Sequence, residues 1–227
     1  MASSPTSSSV QVKCLGVLFD MDGILISSIG SVERSWTKWA LLRGIEPAKA
    51  IEVAHGRRAI ETVAMLRPDL NSRDELKVIE DIEVDDGKDI EILPGVEALL
   101  AALPPEQWTV VTSATERLAR ARMAQAGLPV PERMITADQV EKGKPQPDPY
   151  LAGAALLGFP AAECVVFEDS TSGVLAGHAA GCTVIATTFS HDAASLTAAD
   201  YLITDVTDVE VRTQSGRIEL SFQPLRS

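Results

Sequence analysis

The strongest constraint on the fold of this chain is the alternation of short apolar runs with amphipathic segments after residue 93. The predicted strands are WTVVTS, RMITA, CVVFED, TVIATT and DYLIT, and the predicted helices before and between them are VEALLAAL, ERLARARMAQAG, PYLAGAALLG and GVLAGHAAG. An earlier run, CLGVLFD at 14–20, has the nearly continuous apolar character of a strand covered on both faces. Strands and helices that alternate in this way form right-handed crossovers. The sequence therefore predicts an α/β fold with a parallel sheet.

The segment between the first strand and ILPG has a different pattern. SVERSWTKWALLRG, AKAIEVAH, RRAIETVAMLRP and SRDELKVIEDIEVDD each place apolar residues at helical spacing, with Gly or Pro between them. We expect a helical insert at 29–89, a core formed by 12–28 and 90–227, and a Ser/Thr-rich disordered tail at 1–11, with the alternative that the sheet holds part of this tail.

The composition excludes several classes of partner. The net charge of -12 and the pI near 4.7 disfavour nucleic acid and anionic membranes as partners. A small phosphate pocket is still compatible with this charge. The sequence has no apolar run of membrane-spanning length and no signal-peptide core, so we expect a cytoplasmic protein. The odd number of cysteines (Cys14, Cys164 and Cys182) predicts free, buried thiols.

Polar residues follow several predicted strands at the point where each strand ends. In open parallel sheets, ligands bind beyond the carboxyl ends of the strands, so these residues are expected to meet at one edge. They are Asp20, Thr112, Ser113, Glu168 and Asp169, together with Lys144 on a loop.

The residue types at this edge favour phosphoryl transfer. Four converging acids, Asp20, Asp22, Glu168 and Asp169, would repel one another unless a cation compensates them, and hard oxygen ligands suit Mg²⁺. The hydroxyl groups of Thr112 and Ser113 can donate to phosphate, and Lys144 can neutralise its charge. Each feature alone also fits a turn, a helix N-terminus or a solvated charge; their shared position at strand ends favours a site.

The motifs FDMDGIL, VVTS, GKPQPDPYL and VVFEDSTSGVLAGHAAG resemble the four motifs of the haloacid dehalogenase superfamily, over nearly the whole chain. VERSWTKWA, AHGRRAIETV and ILPGV resemble the sugar-phosphate and glycerol-3-phosphate phosphatases related to 2-deoxyglucose-6-phosphatase and β-phosphoglucomutase. The resemblance implies a Rossmann-like core, a small cap domain formed by the helical insert, Mg²⁺ and an aspartyl-phosphate intermediate.

The resemblance also implies roles for individual residues. Asp20 would be the nucleophile and Asp22 the general acid and then base. Mg²⁺ would be held by Asp20, the backbone carbonyl of Asp22 and Asp169, with Glu168 acting either as a ligand or from behind the ligands. The implied phosphate-binding residues are Gly23, Lys144 and one hydroxyl of Thr112 or Ser113. The implied substrate residues of the helical insert are His55, Gly56, Arg57, Arg58, Glu33 and Trp36, of which Trp36 also fits an apolar core position.

Two positions depart from the family pattern: Ile24 replaces a usual Thr, and Ser27 replaces a frequent Asp. A dehalogenase or a phosphonate hydrolase would lack the acid at Asp22, and a degenerate binding protein would lack Asp20. A hexose-phosphate mutase would carry a His and an Arg where Val32 and Ala59 stand. We therefore expect a monomeric Mg²⁺-dependent phosphatase acting on a small phosphorylated metabolite, such as a hexose phosphate or glycerol 3-phosphate.

Overall fold

The computed structural model describes residues 9–54 and 57–225. A five-stranded parallel sheet lies at its centre, in the order β5-β2-β6-β7-β8. Its strands are β2 (Gly16–Phe19), β5 (Trp108–Val110), β6 (Cys164–Glu168), β7 (Thr183–Thr187) and β8 (Tyr201–Ile203). The predicted α/β class with a parallel sheet is confirmed.

Helices cover both faces of this sheet, which explains why its strands are apolar throughout. The helices are α5 (Val96–Ala102), α6 (Glu116–Ala126), α7 (Asp148–Leu157) and α8 (Thr171–Ala179). Successive residues of β2 point to opposite faces: Phe19 packs in the cluster with the α5 and α6 side chains, whereas Leu18 packs with Tyr150 of α7. All four residues of β2 are buried.

A second, antiparallel sheet was not predicted. It has the order β1-β10-β9, formed by β1 (Val10–Cys14), β9 (Glu210–Gln214) and β10 (Arg217–Phe222). Val10 and Gln11 therefore belong to a strand, and the expectation that the tail extends to residue 11 was wrong. The period-two pattern explains the strand, because Val12 and Cys14 are buried with Ile218, Leu220 and Phe222 in the core. Residues 1–8 lie outside the described residues.

The predicted strand RMITA was also wrong. Only a single bridge joins Ile135 to Val111 there, and a turn of 3₁₀ helix at Ala137–Gln139 follows. The bridge consists of two backbone hydrogen bonds of 2.9 Å, from the Ile135 N–H to the Val110 carbonyl and from the Thr112 N–H to the Ile135 carbonyl.

The helical insert lies between two short strands that pair with each other, β3 (Ile26–Ser27) and β4 (Glu91–Ile92). Its helices are α1 (Ile29–Leu42), α2 (Pro47–Ala54), α3 (Ala59–Leu66) and α4 (Ser72–Asp85). Trp36 and Trp39 are buried in its own apolar core, and Trp39 Nε1 donates to Glu75 Oε2 at 2.9 Å. The insert thus has the small, independent core expected of a cap.

Helix α4 docks the insert onto helix α6 of the core through polar contacts. Thr115 at the N-terminus of α6 donates to Glu80, and Arg117 pairs with Glu80 at 2.9 Å and with Asp81 at 2.6 Å. At the other end, Gln125 Nε2 donates to the Val84 carbonyl at 3.1 Å. These contacts run along the facing sides of the two helices and hold the insert over the carboxyl edge of the sheet.

The three cysteines are free and buried, as predicted. Burial raises the pKa of Cys14 and of Cys182 to about 12, which keeps both thiols protonated. None of the helices within the described residues has the length and hydropathy that crossing a membrane requires.

Gly95, at the start of α5, provides a test of the packing between α5 and the loop before β9. Its φ is +82°, and a Cβ there would lie 2.5 Å from the Thr207 Cα. Gly181 has a similar φ of +81° with nothing within 4 Å of a Cβ, so it is the matched control. We expect Gly181→Ala to lower the free energy of unfolding by about 1–2 kcal/mol. Gly95→Ala should cost about 1–3 kcal/mol more, measured by urea denaturation, and equal losses would contradict the packing described here.

Candidate active site

The carboxyl edge of the parallel sheet brings the predicted polar residues together under the helical insert. Asp20 follows β2, Thr112 and Ser113 follow β5, and Asp169 follows β6. With Lys144 they line a cavity of about 870 Å³ between the sheet edge and the insert. The topology places them there because parallel strands end at the same edge.

Lys144 occupies the centre of the site. Its Nζ donates to Asp20 Oδ1 at 2.5 Å, to Glu168 Oε1 at 2.6 Å and to the Val111 carbonyl at 3.1 Å. These three bonds use all three donors of an ammonium group. Its side chain is only 3% exposed and lies over the ring of Tyr150, 4.9 Å from the centroid. A buried cation therefore joins the ends of three adjacent strands, β5, β2 and β6.

Glu168 is saturated with hydrogen bonds. Oε1 accepts from Lys144 and from the Tyr150 hydroxyl at 2.8 Å. Oε2 accepts from the N–H groups of Asp169 and Ser170 at 2.9 and 3.0 Å and from the Ser170 hydroxyl at 3.1 Å. A Cβ at Gly173 would overlap the carboxylate, so glycine there gives Glu168 its room. Glu168 is therefore positioned to orient its neighbours.

The electrostatics of the three buried acids differ. Burial raises the pKa of Asp20 to about 7, with Lys144 opposing and Glu168 adding to the rise. Burial, together with the charges of Glu168 and Asp20, raises the pKa of Asp169 well above its usual range. Burial would raise the pKa of Glu168 too, but Lys144 and the hydrogen bonds lower it overall. Burial would lower the pKa of Lys144, yet the carboxylates raise it, so the ammonium stays charged. We take Asp20 as ionised because its Oδ1 lies within ion-pair distance of that ammonium.

The acid cluster fits a divalent cation. One carboxylate oxygen each from Asp20, Glu168 and Asp169 lies within 4.8 Å of the others. Burial and the charges of Glu168 and Asp20 disfavour the ionised form of Asp169, and a bound cation would offset both effects. Oxygen-only donors suit a hard ion. Because Glu168 already accepts five hydrogen bonds, Asp20 and Asp169 are the better candidates for direct ligands.

Asp22 faces the cavity from the turn after β2 and is held from two sides. The Ser28 hydroxyl donates to its Oδ1 at 2.5 Å, and Arg122 Nη1 donates to both carboxylate oxygens at 3.0 and 3.1 Å. Arg122 Nη2 also donates to Glu83 on α4 at 3.2 Å. Burial opposes the charge on Arg122, but Asp22 and Glu83 outweigh it and raise the pKa of the guanidinium.

Gly23 lines the cavity at the turn after β2, and its part in phosphate binding stays a prediction. Its N–H donates to the Ile26 carbonyl at 2.8 Å within the turn. Glycine is required here because a Cβ would overlap the Asp169 carboxylate. Ile24, which replaces the usual Thr, points into the apolar core.

Thr112 and Ser113 both line the cavity. The Thr112 side chain is buried, and its oxygen accepts from the Ala114 N–H at 3.1 Å, which leaves the hydroxyl hydrogen to donate elsewhere. Ser113 is half-buried at the start of the turn that leads into α6.

Only some of the substrate residues predicted in the helical insert line the cavity. Trp36, Arg57 and Arg58 line the cavity. Arg58 Nε donates to Glu61 Oε1 at 2.7 Å, and its Nη1 donates to the carbonyls of Val140 and Glu141 at 3.3 and 3.2 Å, so it bridges the insert to the loop before Lys144. His55 and Gly56 lie outside the described residues.

Glu33 does not reach the cavity, contrary to the prediction. It is exposed in a shallow groove on the outer side of α1, with Arg34 and Leu41 among its neighbours. The helical period explains this placement: Val32 and Trp36, four residues apart, share the inner face, and Glu33 is turned about 100° away from Val32.

Comparison with known proteins agrees with this site. A family model described as haloacid dehalogenase-like hydrolase matches residues 15–181. The chain belongs to the haloacid dehalogenase-like hydrolases. The matched residues include strand β2, the helical insert and all the acids of the site.

Individual relatives extend the similarity over most of the chain. Hexitol phosphatase A of Escherichia coli (strain K12) is 41% identical over 208 residues, which cover 89% of this chain and 96% of that protein. Glycerol-1-phosphate phosphohydrolase 2 of Saccharomyces cerevisiae is 35% identical over 235 residues, which cover 96% of this chain and 94% of that protein. The structure of CbbY from Rhodobacter sphaeroides in complex with phosphate has a TM-score of 0.75 at 22% identity, covering 86% of this chain and 95% of that one, and shows the shared fold.

Several residues of this hydrolase site were missed by the sequence analysis. Tyr150, Arg122 and Glu83 are all buried and all contact a site acid or its partner. A signal was present for two of them. Arg122 lies four residues after Leu118 on the apolar face of α6, and Glu83 lies four after Ile79 on that of α4, where charged residues are unusual.

Glu83 allows a pH test of the buried ion pairs that join Glu83, Arg122 and Asp22. Burial raises the pKa of Glu83 to about 7, with Arg122 opposing the rise. Between about pH 4.5 and 7 the unfolded chain loses a proton that the folded protein keeps, so the Glu83 contribution to stability falls as pH rises. The stability of the wild type minus that of Glu83→Gln should therefore fall by about 1–3 kcal/mol from pH 5 to pH 8.

The measurement is urea denaturation with EDTA at several pH values. Glu97→Gln, which removes an exposed acid on α5, is the matched control for the loss of one carboxyl group. A wild-type advantage over Glu83→Gln that grows with pH would contradict the effect of burial on Glu83.

Proposed function

We propose that this protein is a Mg²⁺-dependent phosphatase that hydrolyses the phosphomonoester of a small sugar or polyol through an aspartyl-phosphate intermediate. The observation that carries the proposal is the buried group of Asp20, Lys144 and Asp169 at a cavity that Asp22 also lines. Asp20 supplies a nucleophile, Lys144 a fixed positive charge, and Asp22 a second acid within the same space.

The chemistry takes place in two displacements. An Asp20 carboxylate oxygen attacks phosphorus, the bond from phosphorus to the substrate oxygen breaks, and Asp22 gives its proton to that oxygen. Asp22 then accepts a proton from a water that attacks the aspartyl phosphate, which releases inorganic phosphate and restores Asp20. The Lys144 ammonium, with its raised pKa, and the hydroxyls of Thr112 and Ser113 are placed to neutralise and hold the transferring group.

Mg²⁺ would be held by Asp20, Asp169 and the backbone carbonyl of Asp22. When bound, it offsets the negative charge of the acids and of the phosphoryl group. Glu168, saturated by Lys144, Tyr150 and the turn after β6, orients Asp169 from behind and is assigned no direct bond to the ion.

The substrate class is supported by the cavity and by the relatives. A volume of about 870 Å³ suits a phosphate group with a short carbon chain or a single ring. The insert side of the cavity has polar side chains able to hydrogen-bond to hydroxyls: Arg57, Arg73, Lys77 and Glu80. Two relatives that share most of the chain are named as phosphatases of a hexitol and of glycerol 1-phosphate.

Two other functions are less well supported. A hexose-phosphate mutase would use a His and an Arg at positions where Val32 and Ala59 line the cavity as apolar residues. A degenerate binding protein would have no need of Asp20 in contact with Lys144.

We also propose boundaries for the cap near residues 29 and 89, at the β3 and β4 pair. The cytoplasmic location and the monomeric state stay predictions.

Asp20→Asn tests the nucleophile. The amide has the same volume and cannot attack phosphorus, so activity should fall by at least about a thousandfold while the melting temperature stays within a few degrees of the wild type. The assay uses a panel of C3 to C6 sugar and polyol phosphates plus p-nitrophenyl phosphate, each with and without Mg²⁺. Asp208→Asn, an exposed change, is the matched control. A folded Asp20→Asn protein that retains substantial Mg²⁺-dependent activity would falsify the mechanism.

Asp169→Asn tests the metal assignment. We expect it to raise the Mg²⁺ concentration for half-maximal activity about ten- to a hundredfold, with a smaller rise for Glu168→Gln. In EDTA, Asp169→Asn should melt no lower than the wild type, because it removes a carboxylate that Glu168 and Asp20 repel. If Asp169 only stabilised the start of α8, the melting temperature would drop and the Mg²⁺ requirement would stay unchanged.

A further inference from the structure

Arg122 is a charged side chain on the buried face of α6. Its neighbours on that face, Leu118, Ala119 and Met123, are buried too, and the Arg122 side chain is 4% exposed. Arginine is almost never fully buried unless it is paired, so its partners indicate its purpose.

Those partners come from two different parts of the fold. Nη1 donates to both oxygens of Asp22, which follows the central strand β2 and is 100 residues away in sequence. Nη2 donates to Glu83, on α4 of the helical insert. One guanidinium thus joins the proposed general acid to the helix that docks the insert on the core.

Stability alone is a poor explanation of this arrangement. Two carboxylates share one cation, and Arg122 Nε is buried with no hydrogen-bond partner within residues 9–54 and 57–225. Buried ion pairs of this kind are often replaceable by apolar side chains without loss of stability. The arrangement does constrain Asp22, whose side chain is 30% exposed on the cavity and is fixed by Arg122 through two oxygens at once.

We propose that Arg122 is a positioning residue for Asp22 and that Glu83 makes this positioning depend on the docking of α4. The inference rests on the proposed function, in which Asp22 protonates the leaving oxygen. When α4 is docked, Glu83 holds one side of the guanidinium and the other side fixes the Asp22 carboxylate. When α4 moves away, Arg122 loses the Glu83 bond, and Asp22 is then held only by Ser28 and by a freer arginine.

The first test compares leaving groups. An alkyl phosphate such as glycerol 3-phosphate needs a proton on its leaving oxygen, whereas p-nitrophenyl phosphate releases a good leaving group without one. The quantity measured is kcat/KM, which reports the first displacement. We expect Arg122→Met to lower it about tenfold or more for the alkyl phosphate, chiefly through kcat, and less than about threefold for the aryl phosphate.

Two further variants lie on the same helix. Arg120 pairs with Glu116 on the outer side of α6, so Arg120→Met is the matched control and should leave both substrates unchanged. Arg117 pairs with Glu80 and Asp81 of α4, so Arg117→Met weakens docking while Arg122 stays in place. We expect Arg117→Met to lower kcat/KM for the alkyl phosphate more than for the aryl phosphate, as Arg122→Met does, but by a smaller factor.

The second test measures docking without using activity. We expect the backbone amides of α4 to exchange hydrogen about threefold faster or more in Arg122→Met and in Glu83→Gln, and at the wild-type rate in Arg120→Met. If Arg122→Met fails to fold because two carboxylates are left unpaired, the double variant Arg122→Met with Glu83→Gln replaces it in both tests.

The outcomes separate the two proposals. Equal losses for the two substrates in a folded Arg122 variant would overturn the positioning of Asp22, and unchanged exchange of α4 would overturn its dependence on docking. A wild type that cleaves neither substrate would overturn the proposed function instead, and the exchange of α4 would still decide whether Arg122 joins the insert to the core.

Discussion

The buried ammonium of Lys144 is the interaction on which the rest of the site depends. Asp20 and Glu168 come from adjacent parallel strands, so the topology forces their carboxylates together in a place with little water. Lys144 lies between them at 2.5 and 2.6 Å and offsets their repulsion. Its charge lowers the pKa of Glu168 below the usual value and limits the rise that burial causes in the pKa of Asp20. Asp169 receives less of this compensation, and burial together with the charges of Glu168 and Asp20 raises its pKa. The same crowding of acids supports the proposal that Asp20 and Asp169 hold a divalent cation.

The site is completed by contacts between the helical insert and the core. Helix α4 brings Glu80 to Thr115 and Glu83 to Arg122, and the Arg58 side chain reaches the carbonyls of Val140 and Glu141 near Lys144. Each of these bonds crosses from the insert to the core. The position of the insert and the geometry of Asp22 are therefore linked through hydrogen bonds with charged partners, which are stronger than neutral ones.

The positions that depart from the family pattern have simple structural consequences. Ile24 adds its side chain to the apolar core, and Val32 and Ala59 leave the corresponding parts of the cavity wall apolar. In this protein the polar side chains on the insert wall of the cavity are Arg73, Lys77 and Glu80 of α4, together with Arg57. The acids lie at the strand ends, and the insert forms the opposite wall of the cavity.

The sequence by itself determined the parallel sheet, the helical insert and the meeting of the acids with Lys144 at one edge, because hydrophobic period and strand ends are local features. It did not reveal the β1-β10-β9 sheet, the outward position of Glu33, the use of the Gly23 N–H within its turn, or the contact of Arg122 with Asp22. These depend on which segments meet after folding and on the rotation of each helix about its axis. Only the tertiary structure decides them, since a side chain acquires its partner through packing across 100 residues of chain and not through its neighbours in sequence.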